Sequence, residues 1–216
     1  MDMYSESARA SAAEDIIPLY ERHADTWAEI RGNSGFIESQ WMQRFETLLP
    51  PGGAVLDIGC GSGSPIAAHF IEHGFDVVGI DSSAGMIGHC RERFPDHEWI
   101  VGDMRELSLG RRFHGLLAWD SFFHLTHEDQ RSMFARFAGH AAPGAALMFT
   151  SGTDHDEAIG EFERERLYHA SLTAEEYRKL LESSGFRVLA HKVEDPECGE
   201  HTIWLAQAGN GGQDDD

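Results

Sequence analysis

Five short runs, at residues 54–58, 76–80, 98–101, 115–119 and 145–150, are apolar at most positions rather than at alternate ones. A strand covered on both faces reads this way, and buried parallel strands are the usual case. Between the runs lie stretches of helical periodicity with legible ends. Pro65 stands near a first turn and Gly74 follows a last one, and Met86, Cys90 and Phe94 then share a stripe. Thr126, with Asp129 three residues on, opens a helix that turns Met133, Phe134, Phe137 and Ala141 inward. Thr173 with Glu176 opens another, which carries Tyr177, Leu180 and Leu181 and stops at Gly185. Strands alternating with helices predict an α/β fold on a mainly parallel sheet. After Gly185 the runs at 186–190 and 201–206 are separated by about ten residues containing Pro196 and Gly199, too few for a helix. The sheet is therefore expected to close in an antiparallel hairpin.

A length of 216 residues fits one domain with its own core. Helical segments at about 14–31 and 34–49 precede the first strand, and residues 152–172 form an insertion that the sheet does not need. Residues 1–13 and the acidic tail at 209–216 bury little, so both ends are expected to be mobile and without chemistry. Lysines and arginines number 17 against 37 acids, a net charge of −20, which repels nucleic-acid phosphates and anionic membrane faces. Cys60, Cys90 and Cys198 form no CxxC pair, and no stretch has the character of a secretory signal or a membrane span. The expectation is a cytoplasmic protein, monomer or homodimer, with neither a nucleic acid nor a membrane as partner.

The segment Val55-Leu-Asp-Ile-Gly-Cys-Gly-Ser-Gly63 leaves a predicted strand and enters a predicted helix, the setting a nucleotide-type loop requires. Its spacing is GxGxG, and Ser64 occupies the place where a dinucleotide loop has its last glycine. Asp57 stands where a pyrophosphate would be repelled and an ammonium held. Asp81 ends the second strand, where such sheets offer an acid to ribose hydroxyls, and Asp103 ends the third with Met104 beside it. Acids at three successive strand ends describe one ligand made of an amino acid, a ribose and an adenine. The bland alternatives are a loop that only tightens a turn, an Asp81 that only caps a helix and an Asp103 that is a solvated strand-end acid.

With these residues the chain resembles the class I S-adenosylmethionine-dependent methyltransferases of the small-molecule type, over roughly residues 54–206. The resemblance rests on the glycine loop, on Gly-Ile-Asp-Ser-Ser with Met86-Ile87 following, on Gly-Asp-Met104 and on Trp-Asp-Ser-Phe-Phe-His124. It implies a Rossmann-like, seven-stranded sheet of order 3-2-1-4-5-7-6, strand 7 antiparallel, with helices on both faces. It divides the chain into an N-terminal helical lid at 1–50, a cofactor-binding domain at 51–208 and the tail at 209–216. It implies S-adenosyl-L-methionine as cofactor and S-adenosyl-L-homocysteine as product. Gly59, Gly61 and Gly63 would face the methionine part, with Asp57 on its amino group directly or through water, and Trp119 counts among the cofactor-binding residues. Asp81 would meet the ribose, Met86 the adenine face, and Asp103 with Met104 the adenine edge, with Ser82 as a further cofactor-binding residue. One departure is that residues 105–112 offer a poor helix between strands three and four.

The N-terminal stripe Ile16, Tyr20, His23 or Ala24, Trp27 and Ile30 reads as lid packing. Within it Tyr20, Trp27 and Arg31 resemble the lid residues that meet the cofactor's sulfonium and carboxylate. His124 and His155 are candidate general bases, with Tyr20 beside them as a candidate catalytic group. Asp120 divides between orienting a ligand and shaping its turn. No metal site is expected from the thirteen histidines, since none shows the helical i, i+4 spacing together with a third ligand. Trp119, Phe122, Phe123 and Tyr168 are expected to line the mouth and to favour a small, partly apolar acceptor. The competing reading is a protein that binds the cofactor without turnover; a nicotinamide oxidoreductase is disfavoured by Ser64 and Asp57.

Overall fold

The structure is a computed structural model that describes residues 5–210. Helices α1 (Glu6–Glu14), α2 (Ile16–Arg22), α3 (Ala24–Asn33) and α4 (Ser39–Glu46) precede the first strand. The chain then alternates through β1 (Ala54–Ile58), α5 (Ile66–Glu72), β2 (Asp76–Asp81), α6 (Ala84–Arg93) and β3 (Glu98–Val101). It continues with β4 (Phe113–Ala118), α7 (His127–His140) and β5 (Ala141–Ser151). A ribbon of β6 (Asp156–Phe162) and β7 (Glu165–Ser171) comes next, then α8 (Ala174–Ser183) and the terminal strands β8 (Phe186–Asp195) and β9 (His201–Ala208).

The seven-stranded sheet runs β3-β2-β1-β4-β5-β9-β8, with β1 to β5 parallel and β9 antiparallel to both neighbours. The ribbon adds two to the numbering, so this is the expected 3-2-1-4-5-7-6 order with its closing hairpin. Successive residues of each central strand serve opposite faces. Leu56 and Ile58 join Met133, Phe134, Phe137 and Tyr177 under α7 and α8, whereas Val55 joins Phe45, Phe70 and Ile87 under α4 to α6. Thr126 and Thr173 cap α7 and α8 by accepting from the backbone N–H of Asp129 and Glu176, as their spacing predicts. Between β3 and β4 there is only a 3-10 turn at Met104–Glu106, in place of a helix. Among the described residues no helix is long and apolar enough to cross a membrane.

Two expectations are corrected and a third gains its form. Residues 6–14, taken as a mobile end, form α1, capped by Ser5; small side chains suffice there because Ala12 and Ile16 bury against Tyr168 and Ala170 of the ribbon. The segment at 14–31 breaks at His23, which leaves the helical region at φ −114°; the stripe drifts off register and Ile30 ends up 45% exposed. The insertion at 152–172 is a hairpin whose two-residue turn, Glu163-Arg164, holds both residues at positive φ (51° and 65°). Its tip reaches the helical segment, where Phe162 stacks on Tyr20 and Glu165 pairs with Arg22 and His23. Of the tail at 209–216, residues 211–216 lie outside the described residues, as do residues 1–4.

Candidate functional site

Parallel strands end on one edge, and at the switch between β1 and β4 their carboxyl ends open a crevice. A cavity of about 240 Å³ fills it, floored by Gly59, Gly61, Asp81 and Ser82 and walled by Met86, Asp103 and Met104. Its roof comes from the N-terminal helices, through Ala10, Ala13, Tyr20 and Trp27. A lobe of about 40 Å³ continues past Trp27, Gly59, Gly61 and Asp120 and is bounded by Arg31, Asp57, Ser62 and Trp119.

Asp81 shapes the floor. One carboxylate oxygen accepts from the Gly61 N–H at 2.9 Å and the other from the Ser83 N–H at 2.9 Å, so lone pairs remain for a guest. Burial pushes its carboxyl upward, opposed by those backbone donors. Ser83 caps α6, and Glu21 accepts from the Ser83 hydroxyl (2.6 Å) and the Gly85 N–H (3.1 Å), which pins α2 over Asp81. Gly59 has φ +76°, and a Cβ there would lie 2.3 Å from the Ser121 Cβ. Gly59→Ala is therefore expected to destabilise the fold by at least ~2 kcal/mol, from left-handed strain plus overpacking. Urea unfolding beside Gly61→Ala checks this, because a Cβ on Gly61 meets Trp27 only at 3.6 Å.

The lobe holds opposite charges. Asp57 is 4% exposed, and its carboxyl is pushed from 3.8 up to about 7 by burial and then by Asp81, with Arg31 pulling it back. The Arg31 guanidinium donates to Glu38, 2.6 Å away and fully buried. The Trp119 indole N–H, the Ser62 hydroxyl and one Glu38 carboxylate oxygen are buried without a hydrogen-bond partner. A lobe with an acid short of a counter-ion, a guanidinium and an unused donor suits a zwitterionic amino-acid head.

Residues 55–144 match the family described as "Methyltransferase domain". That stretch is similar to a methyltransferase domain. A dTDP-3-amino-3,4,6-trideoxy-alpha-D-glucopyranose N,N-dimethyltransferase of Streptomyces venezuelae is 35% identical over 101 residues, 46% of this chain and 42% of the relative. The chain thus spans about two-fifths of the length of that relative. An O-methyltransferase of Pyrenophora dematioidea is 26% identical over 82% of this chain and 77% of its own. Among solved structures, the sugar N-methyltransferase KedS8 from Streptoalloteichus superposes with a TM-score of 0.69 at 17% identity, over 86% of this chain and 92% of that one; this likeness speaks to the fold.

Around the cavity several predicted site residues stand apart from their expected places. Gly63 lines neither lobe: a Cβ on it would meet Cys90 at 3.2 Å, with Phe94 and Trp99 at 3.5 Å, so it lets the loop pack on α6. Asp103 borders the cavity, but both its oxygens hold the Arg105 guanidinium, which keeps its carboxyl below the usual range against the pull of burial. An adenine amine would have to share that pair. His155 stacks on His127, ring centroids 4.1 Å apart, exposed and off the cavity, so it is not placed to act as a base there. Phe122 is buried in the core and Tyr168, on the ribbon itself, is buried against Ala12 and Ile16 rather than at a mouth, whereas Phe123 borders a separate open cavity of about 440 Å³.

Tyr20 and His124 do come together in the main cavity, Oη to Nε2 at 2.9 Å. The His124 Nδ1 lies 2.7 Å from the Tyr168 carbonyl, so Nδ1 carries the proton and Nε2 accepts from Tyr20. Burial, and then His169, pull His124 down to about 4, and burial also raises the Tyr20 phenol. The pair is neutral around pH 7. Asp120, at φ +48°, accepts from His201 at 2.8 Å. The other His201 nitrogen faces the Cys198 carbonyl at 2.5 Å. With an acceptor at each nitrogen His201 favours the imidazolium: burial lowers it, yet Asp120 raises it further. Sequence reasoning missed His201, Glu21 and Glu38, whose partners are 62 or more residues away for the first two and seven for Glu38.

A metal site was not expected, yet His69 and His73 stand four apart, and folding brings Glu46 of α4 to them as a third potential ligand. The spacing of the two histidines was in the sequence; the third group arrives through tertiary packing.

Proposed function

We propose that the chain moves a methyl group from S-adenosylmethionine to a small-molecule acceptor, an amine in preference to a phenol or a carboxylic acid. The observation that carries the reading is the two-lobed cavity, whose smaller lobe sets Asp57 against Arg31 beside the Gly59–Gly61 backbone and whose larger one presents Asp81. In this reading Asp57 takes the ammonium and Arg31 with the Trp119 N–H the carboxylate. Asp81 and Ser82 take the ribose, and Met86 and Met104 cover the adenine. When bound, the cofactor supplies a methyl on a sulfonium, already activated for in-line displacement.

The chain's own contribution is then alignment and exclusion of water, worth roughly 7–11 kcal/mol when the geometry is held. When the acceptor binds, the Tyr20 hydroxyl turns off Nε2 of His124, and the single lone pair freed there accepts an N–H of the acceptor and fixes the direction of the acceptor's own lone pair. An amine fits the surroundings, since Asp120 and Asp129 border the cavity within a chain of net charge −20. The curated relatives include an amino-sugar N,N-dimethyltransferase, which supports a polar ring amine as acceptor class.

Titration calorimetry with S-adenosylmethionine and S-adenosylhomocysteine release across amines, phenols, carboxylates and thiols tests this. Binding with turnover on an amine is the expected result, and binding with no turnover on any member would overturn the enzymatic reading. Asp81→Asn is expected to weaken cofactor binding by ~2 kcal/mol, about 30-fold, as a charged acceptor becomes a neutral one. Asparagine keeps one carbonyl for one of the two backbone N–H groups and sets its own NH2 against the other, so urea unfolding beside the calorimetry separates lost binding from loop collapse; equal affinity would refute the ribose assignment.

A further inference from the structure

On the outer face of the sheet, away from both lobes, α4 and α5 end side by side and present one carboxylate and two imidazoles. His69 Nε2 lies 3.1 Å from a Glu46 oxygen, and His73 Nδ1 lies 2.8 and 2.9 Å from the two oxygens. The three ligand atoms fall within 4.8 Å of one another. The His73 N–H to His69 carbonyl bond (3.1 Å) fixes the i, i+4 relation of the histidines. His69 is 8% exposed and packed between the rings of Phe36 and Phe70, and the two imidazoles stand 4.1 Å apart.

We propose that Glu46, His69 and His73 bind a divalent transition ion of the zinc class, which staples α4 to α5. Two nitrogens and one carboxylate oxygen form a donor set that suits zinc and not calcium or magnesium, which take oxygen ligands. Zinc bonds of about 2.0–2.2 Å in a tetrahedron separate neighbouring donors by about 3.4 Å. The spacings of 2.8–3.1 Å between the Glu46 oxygens and the two nitrogens reach that value by opening roughly 0.3–0.6 Å. Protons balance: the imidazole N–H groups that now face Glu46 move to the other ring nitrogens, and the ion takes their places. His73 is 42% exposed on its side chain, which leaves the fourth position to water. The ion would tie the helical segment to the glycine-loop helix, because Trp41, Met42 and Phe45 of α4 bury in the same core as Ile66 and Phe70 of α5.

The test uses the full chain without an affinity tag, stripped by chelator and titrated with zinc by calorimetry and with cobalt(II) by visible absorption. The expected result is one ion per chain, a tetrahedral cobalt spectrum and a Tm that rises with zinc. Glu46→Gln and His73→Gln should each bind about tenfold more weakly or worse and lose the Tm response. His73 is half-exposed, so its variant should keep the wild-type Tm in chelator, which separates a lost ligand from a lost fold. No binding, an octahedral spectrum, or equal binding by wild type and both variants would overturn the proposal.

Discussion

Replacing His124 with alanine is expected to lower kcat on an amine acceptor by about 10²-fold while leaving the affinity for S-adenosylmethionine near the wild-type value. The residue touches neither the Asp57 lobe nor Asp81, and its Nε2 projects beside Tyr20. Tyr20→Phe should cost only about three- to tenfold, the worth of one neutral hydrogen bond, because Nε2 stays in place when the phenol is removed. His124→Gln, which returns an acceptor near the Nε2 position, should recover part of the loss. The pH profile carries the sharper test. With His124 at about 4, its ring is neutral across the physiological range, so at saturating S-adenosylmethionine, where Asp57 is already engaged, an acid limb in the acceptor's kcat/KM above pH 5 belongs to the acceptor's ammonium and should move when acceptors of different basicity are compared. A limb near pH 6 to 7 that stays fixed across acceptors and vanishes in the glutamine variant would make His124 a conventional base and defeat the positioning role.

Much of this arrangement could be read before any coordinates. Buried parallel strands are apolar at most positions rather than at alternate ones, and residues 54–58 and 76–80 read this way, so the sheet and the edge carrying Asp57, Gly59 and Asp81 followed from local pattern. What escaped depended on partners distant in sequence or on atypical chemistry. The ribbon turn at Glu163-Arg164 has none of the glycine or asparagine that announces a turn with both residues at positive φ. Helix α1 hides because alanine packs against β7 without a strong apolar stripe. Asp103 sits where an adenine acid belongs, and only side-chain geometry shows Arg105 folding back onto it. Gly63 and His155 fail for the converse reason: each has the right neighbours in sequence and points its environment elsewhere.

The affinity for S-adenosylmethionine is expected to fall about tenfold for each pH unit below 7 and to flatten in Asp57→Asn. In the ligand-free protein the Asp57 carboxyl stands at about 7, so below that pH it holds a proton that an incoming ammonium must displace. Above about 8 the ligand's own amino group begins to lose its charge, so binding passes through a maximum between about 7 and 8. At that maximum Asp57→Asn should bind ~2–3 kcal/mol more weakly, roughly 30- to 150-fold, with a neutral amide facing the cation. Stability of the empty protein should run the opposite way. A carboxyl raised from 3.8 to about 7 keeps its proton in the folded state through a window in which the unfolded chain releases it. The contribution of Asp57 is therefore fully present below about pH 4 and declines as pH rises through about 7. Asp57→Asn removes that decline, so the unliganded variant should be at least as stable as wild type at pH 8 while binding worse. Calorimetry and urea unfolding at pH 5.5, 7 and 8 read both slopes. Parallel slopes in wild type and variant would show that the ammonium is held somewhere other than Asp57.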